Sequence, residues 1–318
     1  MFKNREGKIR SGWKIAGVTG VFLGIVGILS VVIGIIAAGF LLLGGELDLH
    51  TMEFTKNGKR IMDNVTIIAM FLQEVVMIIT PIIAWKYIMK RPLSNMGLDS
   101  FKNHSKELLV GLLFGIISIS VVFGALVLSK NAVVESWTPH FSADTIIYLV
   151  LFILVGFAEE IYGRGFIMSA LRQTRNVPVV IIVSSVIFAI LHSTNSGIGI
   201  IPYINLTLVG VLFAYMYLKS GNIWMSIGYH ITWNYFQGNV FGFKVSGTNT
   251  TGIITTSNKI NNIFNGGEFG PEGGLFVTAI LLLGFLFVKK FYENKSFDFI
   301  STEPEVKVQI PEQGNYPT

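Results

Sequence analysis

Long apolar runs recur along the chain, separated by short polar stretches, and their lengths set the elements. A helix crossing the ~30 Å hydrocarbon core of a bilayer needs about 20 apolar residues. Runs of roughly that length fall at about 15–43, 64–88, 107–129, 143–171, 177–193, 198–218, 222–240 and 274–291. The pattern predicts an all-α membrane protein, a polytopic helical bundle of about eight transmembrane helices. The fifth and seventh runs are short and carry polar residues, so they are expected to line a shared interior rather than face lipid. The first run is about twice as long as the apolar region of a signal peptide, and no small-residue cleavage site ends it. Residues 1–292 are expected to form one transmembrane domain. The polar, Pro- and Glu-containing segment 293–318 is expected to be a disordered cytoplasmic tail. No internal repeat is visible.

Composition supports the bilayer over a soluble core. Of 318 residues, 51% are hydrophobic and only 14% are charged, against about 25% charged in ordinary globular domains. The expected location is therefore the cell membrane, in multi-pass form. The absence of cysteine excludes disulfides, thiol nucleophiles and Cys-ligated zinc. The net charge of +5 raises the question of nucleic acid. The basic residues lie at span ends and not in a stripe, so no nucleic-acid partner is expected. With eight spans and a cytoplasmic N-terminus, 17 of the 24 Lys and Arg fall on the cytoplasmic side, as the positive-inside rule requires. Both termini are then cytoplasmic. Segment 241–272, rich in Gly, Asn and Thr, becomes an external loop, expected to be a flexible connection rather than a lid.

Charged and polar side chains inside the spans carry the chemistry. Glu159, Glu160 and Arg164 sit in the apolar fourth run, and His192 and His230 in the fifth and seventh. Ionisable groups at such depth are costly and mark functional sites. Counted from the cytoplasmic markers Arg172, Pro178 and Lys219, Glu160, His192 and His230 lie roughly 18, 21 and 17 Å deep at 1.5 Å per residue. Three helices thus bring a carboxylate and two imidazoles to one level. Within the helices, Glu160 and Arg164, Phe188 and His192, and His230 and Asn234 are each four apart, on one face. A carboxylate and an imidazole aimed at one point can activate a water, and a second imidazole with an amide can donate to an oxyanion. The same groups could instead hold a divalent metal such as zinc, with Glu159, His192 and His230 as ligands.

The stretches EEIYGR at 159–164, FAILH at 188–192 and HITWN at 230–234 resemble the motifs EExxxR, FxxxH and HxxxN of the CPBP (Abi) family. That family groups type II CAAX prenyl endopeptidases with bacteriocin-processing and self-immunity proteins. The approach GVLFAYMYLKSGNIWMSIGYHITWN, with Gly210, Gly221 and Trp224, is also similar to the family's. The resemblance covers about residues 145–240 and implies an intramembrane endopeptidase acting on a peptide or membrane-protein substrate. By it, Glu159 is the general base with His192 as partner, His230 and Asn234 stabilise the oxyanion, and Glu160 and Arg164 support the site. A Glu/His-activated water without metal and a catalytic metal are both compatible with these motifs.

Structural roles compete at each position. The Glu160–Arg164 pair could simply brace the bundle, Phe188 is expected to pack against His192, and Gly156, Gly163 and Gly165 to permit close helix approach. Glu74 and Asn205 add polar groups in the second and sixth spans, and Glu74 is expected to neutralise Arg164. A transporter with a midplane Glu/His relay is the rival from another class, although the chain lacks the inverted repeat and paired broken helices that would favour it. A non-catalytic self-immunity protein is the third reading. The Ile-, Lys- and Asn-rich composition resembles that of AT-rich bacteria. This directs the substrate expectation to a peptide, a membrane-protein fragment or a bacteriocin leader rather than a prenylated C-terminus. No pattern encodes an oligomeric state.

Overall fold

A computed structural model describes residues 2–4, 7–48, 50–295 and 297–301. Its frame is eight helices among the described residues: α1 (Ser11–Leu43), α2 (Lys56–Ile83), α3 (Phe101–Leu128), α4 (Ala143–Glu160), α5 (Val177–Leu191), α6 (Ile200–Ser220), α7 (Trp224–Tyr235) and α8 (Leu275–Phe291). Each coincides with one of the eight apolar runs. Three run on as π-helix, α2 through Ala84–Ile88, α4 through Ile161–Met168 and α7 through Phe236–Val240, the second of these closed by the single turn Ser169–Leu171. Five segments are long and apolar enough to cross a bilayer: Ser11–Leu43, Lys56–Ile88, Leu93–Leu128, Ala143–Thr174 and Ile200–Ser220. The chain is a membrane protein. An antiparallel ribbon of β1 (Val133–Ser136) and β2 (Thr255–Ser257) is the addition that helical periodicity could not show.

Local signals fix the helix ends. The Thr55 hydroxyl accepts from the Gly58 N–H at 3.0 Å and caps α2, and the Asn176 side chain accepts from the Val179 N–H at 3.1 Å and caps α5. Each satisfies an N–H that a helix start leaves orphaned. Gly221 ends α6 with a φ of 77°, a conformation that L side chains rarely adopt.

Close packing of α3 on α7 sits at the centre of the bundle. A Cβ on Gly111 would lie 2.2 Å from the Met225 carbonyl oxygen, one on Gly115 2.3 Å from Thr232 Oγ1, and one on Gly228 2.5 Å from the Leu108 carbonyl oxygen. Small residues at this spacing let two backbones touch where lipid supplies no hydrophobic drive. The Thr232 hydroxyl adds an interhelical bond, donating to the Leu112 carbonyl at 2.8 Å. This contact sets the rotation of α7 and hence the direction of its polar face.

The segment between α7 and α8, expected as a flexible surface connection, is folded into the bundle. Phe243, Val245, Asn265 and Phe269 are buried. Side-chain amides satisfy its irregular backbone: Gln237 donates to the Lys244 carbonyl at 2.7 Å, Asn239 to Thr251 at 2.9 Å, and Asn265 to Asn131 and Ile260, each at 2.9 Å. Such backbone is tolerated at depth only where protein groups pair it. Asn205, one of the unassigned polar residues of the spans, ties the segment to α6 by donating to the Glu272 and Gly274 carbonyls at 2.7 and 3.0 Å. Of the tail expected from residue 293, Phe299 packs against Tyr217 with ring centroids 5.2 Å apart and lies 4.2 Å from the Arg172 guanidinium. Residues 302–318 lie outside the described residues.

Replacing Gly115 with Leu is expected to lower stability by about 1–3 kcal/mol or more, since backbone and not a flexible side chain must give way. Gly163→Ala, whose Cβ would meet nothing within 4 Å, is expected to be neutral in packing. Thermal unfolding of the two variants in detergent compares them.

Candidate active site

Glu159 and Glu160 end the regular part of α4, where the helix widens into its π turn. A π turn inserts an extra residue and re-aims the side chains around it, and such turns often occur at functional sites. Adjacent in sequence, the two carboxylates point to different partners. Glu160 and Arg164 are both 0% exposed, and Arg164 Nη1 donates to Glu160 Oε1 at 3.0 Å. The Arg164 guanidinium packs between two rings, 4.5 Å from the Phe188 centroid and 5.0 Å from that of Phe213, so cation–π attraction replaces part of its lost hydration.

Glu160 Oε1 also lies 3.3 Å from His230 Nδ1. That contact turns the opposite ring nitrogen, His230 Nε2, toward Glu159, whose Oε2 is 3.8 Å away. His192 Nε2 is 3.8 Å from the same oxygen. His192 is the C-cap of α5 rather than a mid-helix residue, because the helix gives way at the polar Ser193-Thr-Asn-Ser-Gly197 turn. Its Nδ1 is 2.9 Å from the Phe188 carbonyl oxygen. A carbonyl can only accept, so Nδ1 carries the proton and Nε2 of the neutral ring presents a lone pair. Phe188 packs against His192 in a tilted arrangement, 4.9 Å between centroids, and meets His230 edge-on at 6.3 Å.

Glu159 Oε2 has no hydrogen-bond partner. It borders a cavity of about 180 Å³ also lined by Glu74, Gly163, His192, His230 and Asn234, large enough for more than one ordered water. The structure thus brings together Glu159, His192, His230 and Asn234, with Glu160, Arg164 and Phe188 behind them. Gly163 faces this cavity, whereas Gly156 lets α4 approach α7, a Cβ there lying 2.6 Å from Ile231 Cγ1. Glu74 does not neutralise Arg164. It faces Glu159 across the cavity, and Arg164 pairs with Glu160, because α2 meets α4 on the cavity side. Among the described residues no three His, Cys, Asp or Glu side chains stand as a preformed metal cluster.

A second, smaller cavity of about 40 Å³ lies on the other side of the imidazoles, lined by His192, His230, Asn205, Asn234, Ser246 and Glu272. Glu272 escaped the sequence reading because it stands in a loop, between Pro271 and Gly273, where an acid carries no signal. Its Oε2 accepts from the Ser246 N–H at 2.6 Å and hydroxyl at 2.8 Å, and Oε1 accepts from Trp233 Nε1 at 3.3 Å. Burial pushes the Glu272 carboxyl above the usual carboxylate range, against the lowering effect of the Ser246 donors.

The wider comparison coincides with this geometry. Residues 141–236 match the family model of type II CAAX prenyl endopeptidase Rce1-like proteins. The chain carries an Rce1-like domain. That domain spans α4 to α7 and holds every motif residue of the cavity, whereas Glu74 and Glu272 lie outside it. It supports an intramembrane endopeptidase of the CAAX-protease type in a membrane. No curated protein matches the chain, and no solved structure does.

Arg164→Met is expected to cost about 3–5 kcal/mol, because it strands a buried carboxylate. Adding Glu160→Gln is expected to restore part of that loss, and unfolding of the single and double variants in detergent reads the non-additivity. Glu272 gives a pH signature. A carboxyl raised on folding binds more protons in the folded state, so stability falls as pH rises from the ordinary carboxylate range through the raised one. Melting temperature across that window is expected to fall less steeply in Glu272→Gln than in the wild type.

Proposed function

We propose that the chain is an intramembrane endopeptidase of the cell membrane that hydrolyses a peptide or membrane-protein substrate with a water held by Glu159 and His192. The observation carrying this is that one Glu159 oxygen without a hydrogen-bond partner stands 3.8 Å from both His192 Nε2 and His230 Nε2 at a cavity wall. A water bridging these atoms has acceptors for its protons. Glu159 takes a proton as the water attacks the scissile carbonyl, and His192, held by the Phe188 carbonyl, orients the water through its Nε2 lone pair.

Carbonyl addition places a negative charge on oxygen. His230 and Asn234, one turn apart on α7, form the donor wall for it. With both ring nitrogens protonated, His230 gives Nδ1–H to Glu160 and Nε2–H to the cavity. The Glu160–Arg164 pair fixes the ring in that orientation. The proton on Glu159 then passes to the leaving amine, and the carboxylate is restored. The donor set Glu159, His192 and His230 suits a bridging water better than an ion. If a divalent metal does bind there, those three residues would hold it and it would acidify the water.

Purified protein in detergent, given a library of membrane-tethered peptides, is expected to cleave a subset of them. Glu159→Ala and His192→Ala should each reduce cleavage roughly 10²–10⁴-fold, and Asn234→Ala about 10²–10³-fold. Cleavage that persists in both Glu159→Ala and His192→Ala would sink the mechanism. Activity unaffected by a chelator is expected, and its loss would assign an ion to the three donors.

A further inference from the structure

The hydrolytic mechanism leaves one buried acid of the larger cavity without a role. Glu74 on α2 is only 5% exposed. Its Oε1 accepts from Gln73 Nε2 at 3.3 Å, and its Oε2 has no hydrogen-bond partner. The residue lines the same cavity as Glu159. A carboxylate oxygen taken from water and given no donor is destabilised until something supplies one. Among the described residues lining this cavity there is no Lys or Arg. Arg164, the buried cation of the active site, packs against Glu160, Phe188 and Phe213 and does not line it.

A substrate entering the cavity can supply that donor. Gln73, Asn195, Asn234, Ser246 and Thr248 supply neutral polar groups around the wall, and Met70, Met77, Phe152 and Val155 supply apolar ones. Such a lining suits a peptide segment with apolar side chains and one cationic group.

We propose that Glu74, with Gln73 beside it, is a substrate-binding residue that accepts an ammonium group flanking the scissile bond, so that favoured substrates are cationic peptides. The ammonium belongs to a lysine side chain or to a free N-terminus, and both make the same charge-assisted hydrogen bond. This assignment rests on the hydrolytic role of the cavity.

The test uses the full-length protein in neutral-lipid liposomes and membrane-tethered peptides of one parent sequence. Each position near the cleaved bond carries Lys, norleucine or Glu in turn, and a further pair has a free or acetylated N-terminus close to that bond. Wild type is expected to favour the Lys or free-amine peptide over its neutral partner by about tenfold or more in kcat/KM. The ratio should fall close to one in Glu74→Gln and survive in Glu74→Asp, which keeps the charge. The arm that shows the preference identifies the source of the ammonium. An unchanged ratio in Glu74→Gln, or a preference for the Glu peptides, overturns the proposal. Fluorescence anisotropy of the same labelled peptides separates this outcome from failure of the hydrolytic reading. If nothing is cleaved, amine-dependent binding lost in Glu74→Gln still upholds the subsite, and binding indifferent to the amine overturns it.

Discussion

A carboxylate and a guanidinium with no exposure to solvent, set inside a membrane-embedded bundle, constrain everything packed around them. Removing either charge from water costs several kcal/mol, which only close pairing and further polar contact can offset. Glu160 and Arg164 meet at 3.0 Å. The guanidinium also packs on two aromatic faces, and the same carboxylate oxygen meets His230, while Arg164 Nε and Nη2 and Glu160 Oε2 have no hydrogen-bond partner. Phe188, Phe213 and His230 come from three different helices, so the pair fixes the relative placement of α5, α6 and α7 around α4. A brace and a support for the site are thus one structure.

The same constraint distinguishes two neighbouring glutamates. Glu160, with Arg164 and His230 on one oxygen, has no freedom to act on a substrate. Glu159, one residue earlier, has an unpartnered oxygen at a cavity wall facing two imidazole nitrogens. Chemical difference between identical side chains arises here from environment alone, and the widened turn that follows them lets adjacent residues reach such different surroundings.

Much of this was legible in the chain. Eight apolar runs locate the eight helices, and the depth of Glu160, His192 and His230 counted in residues places them together, because helical rise is nearly constant. Spacing of four put Glu160 beside Arg164 and Phe188 beside His192, and both contacts are present. The rest depended on information that periodicity does not carry. Glu74 was assigned to Arg164 because depth gives a level and not an azimuth, and the rotation of α2 turns it to Glu159. Glu272 lies in a segment whose Gly, Asn and Thr content reads as solvent-exposed. Its burial depends on amide side chains such as Gln237, Asn239 and Asn265 pairing with particular carbonyls, a three-dimensional match with no linear signature.

The short helices at the centre have a consequence for how the protein fits its bilayer. α5, with 15 residues, and α7, with 12 and a π-helical extension of five, reach only about 22 and 25 Å at 1.5 Å per residue, less than the ~30 Å hydrocarbon thickness. The stretch between α7 and α8 packs beside these short helices, with Phe243, Val245, Asn265 and Phe269 buried. That stretch therefore has the low tolerance for inserted epitopes or reporter domains of a spanning helix, although its composition is that of a spacer.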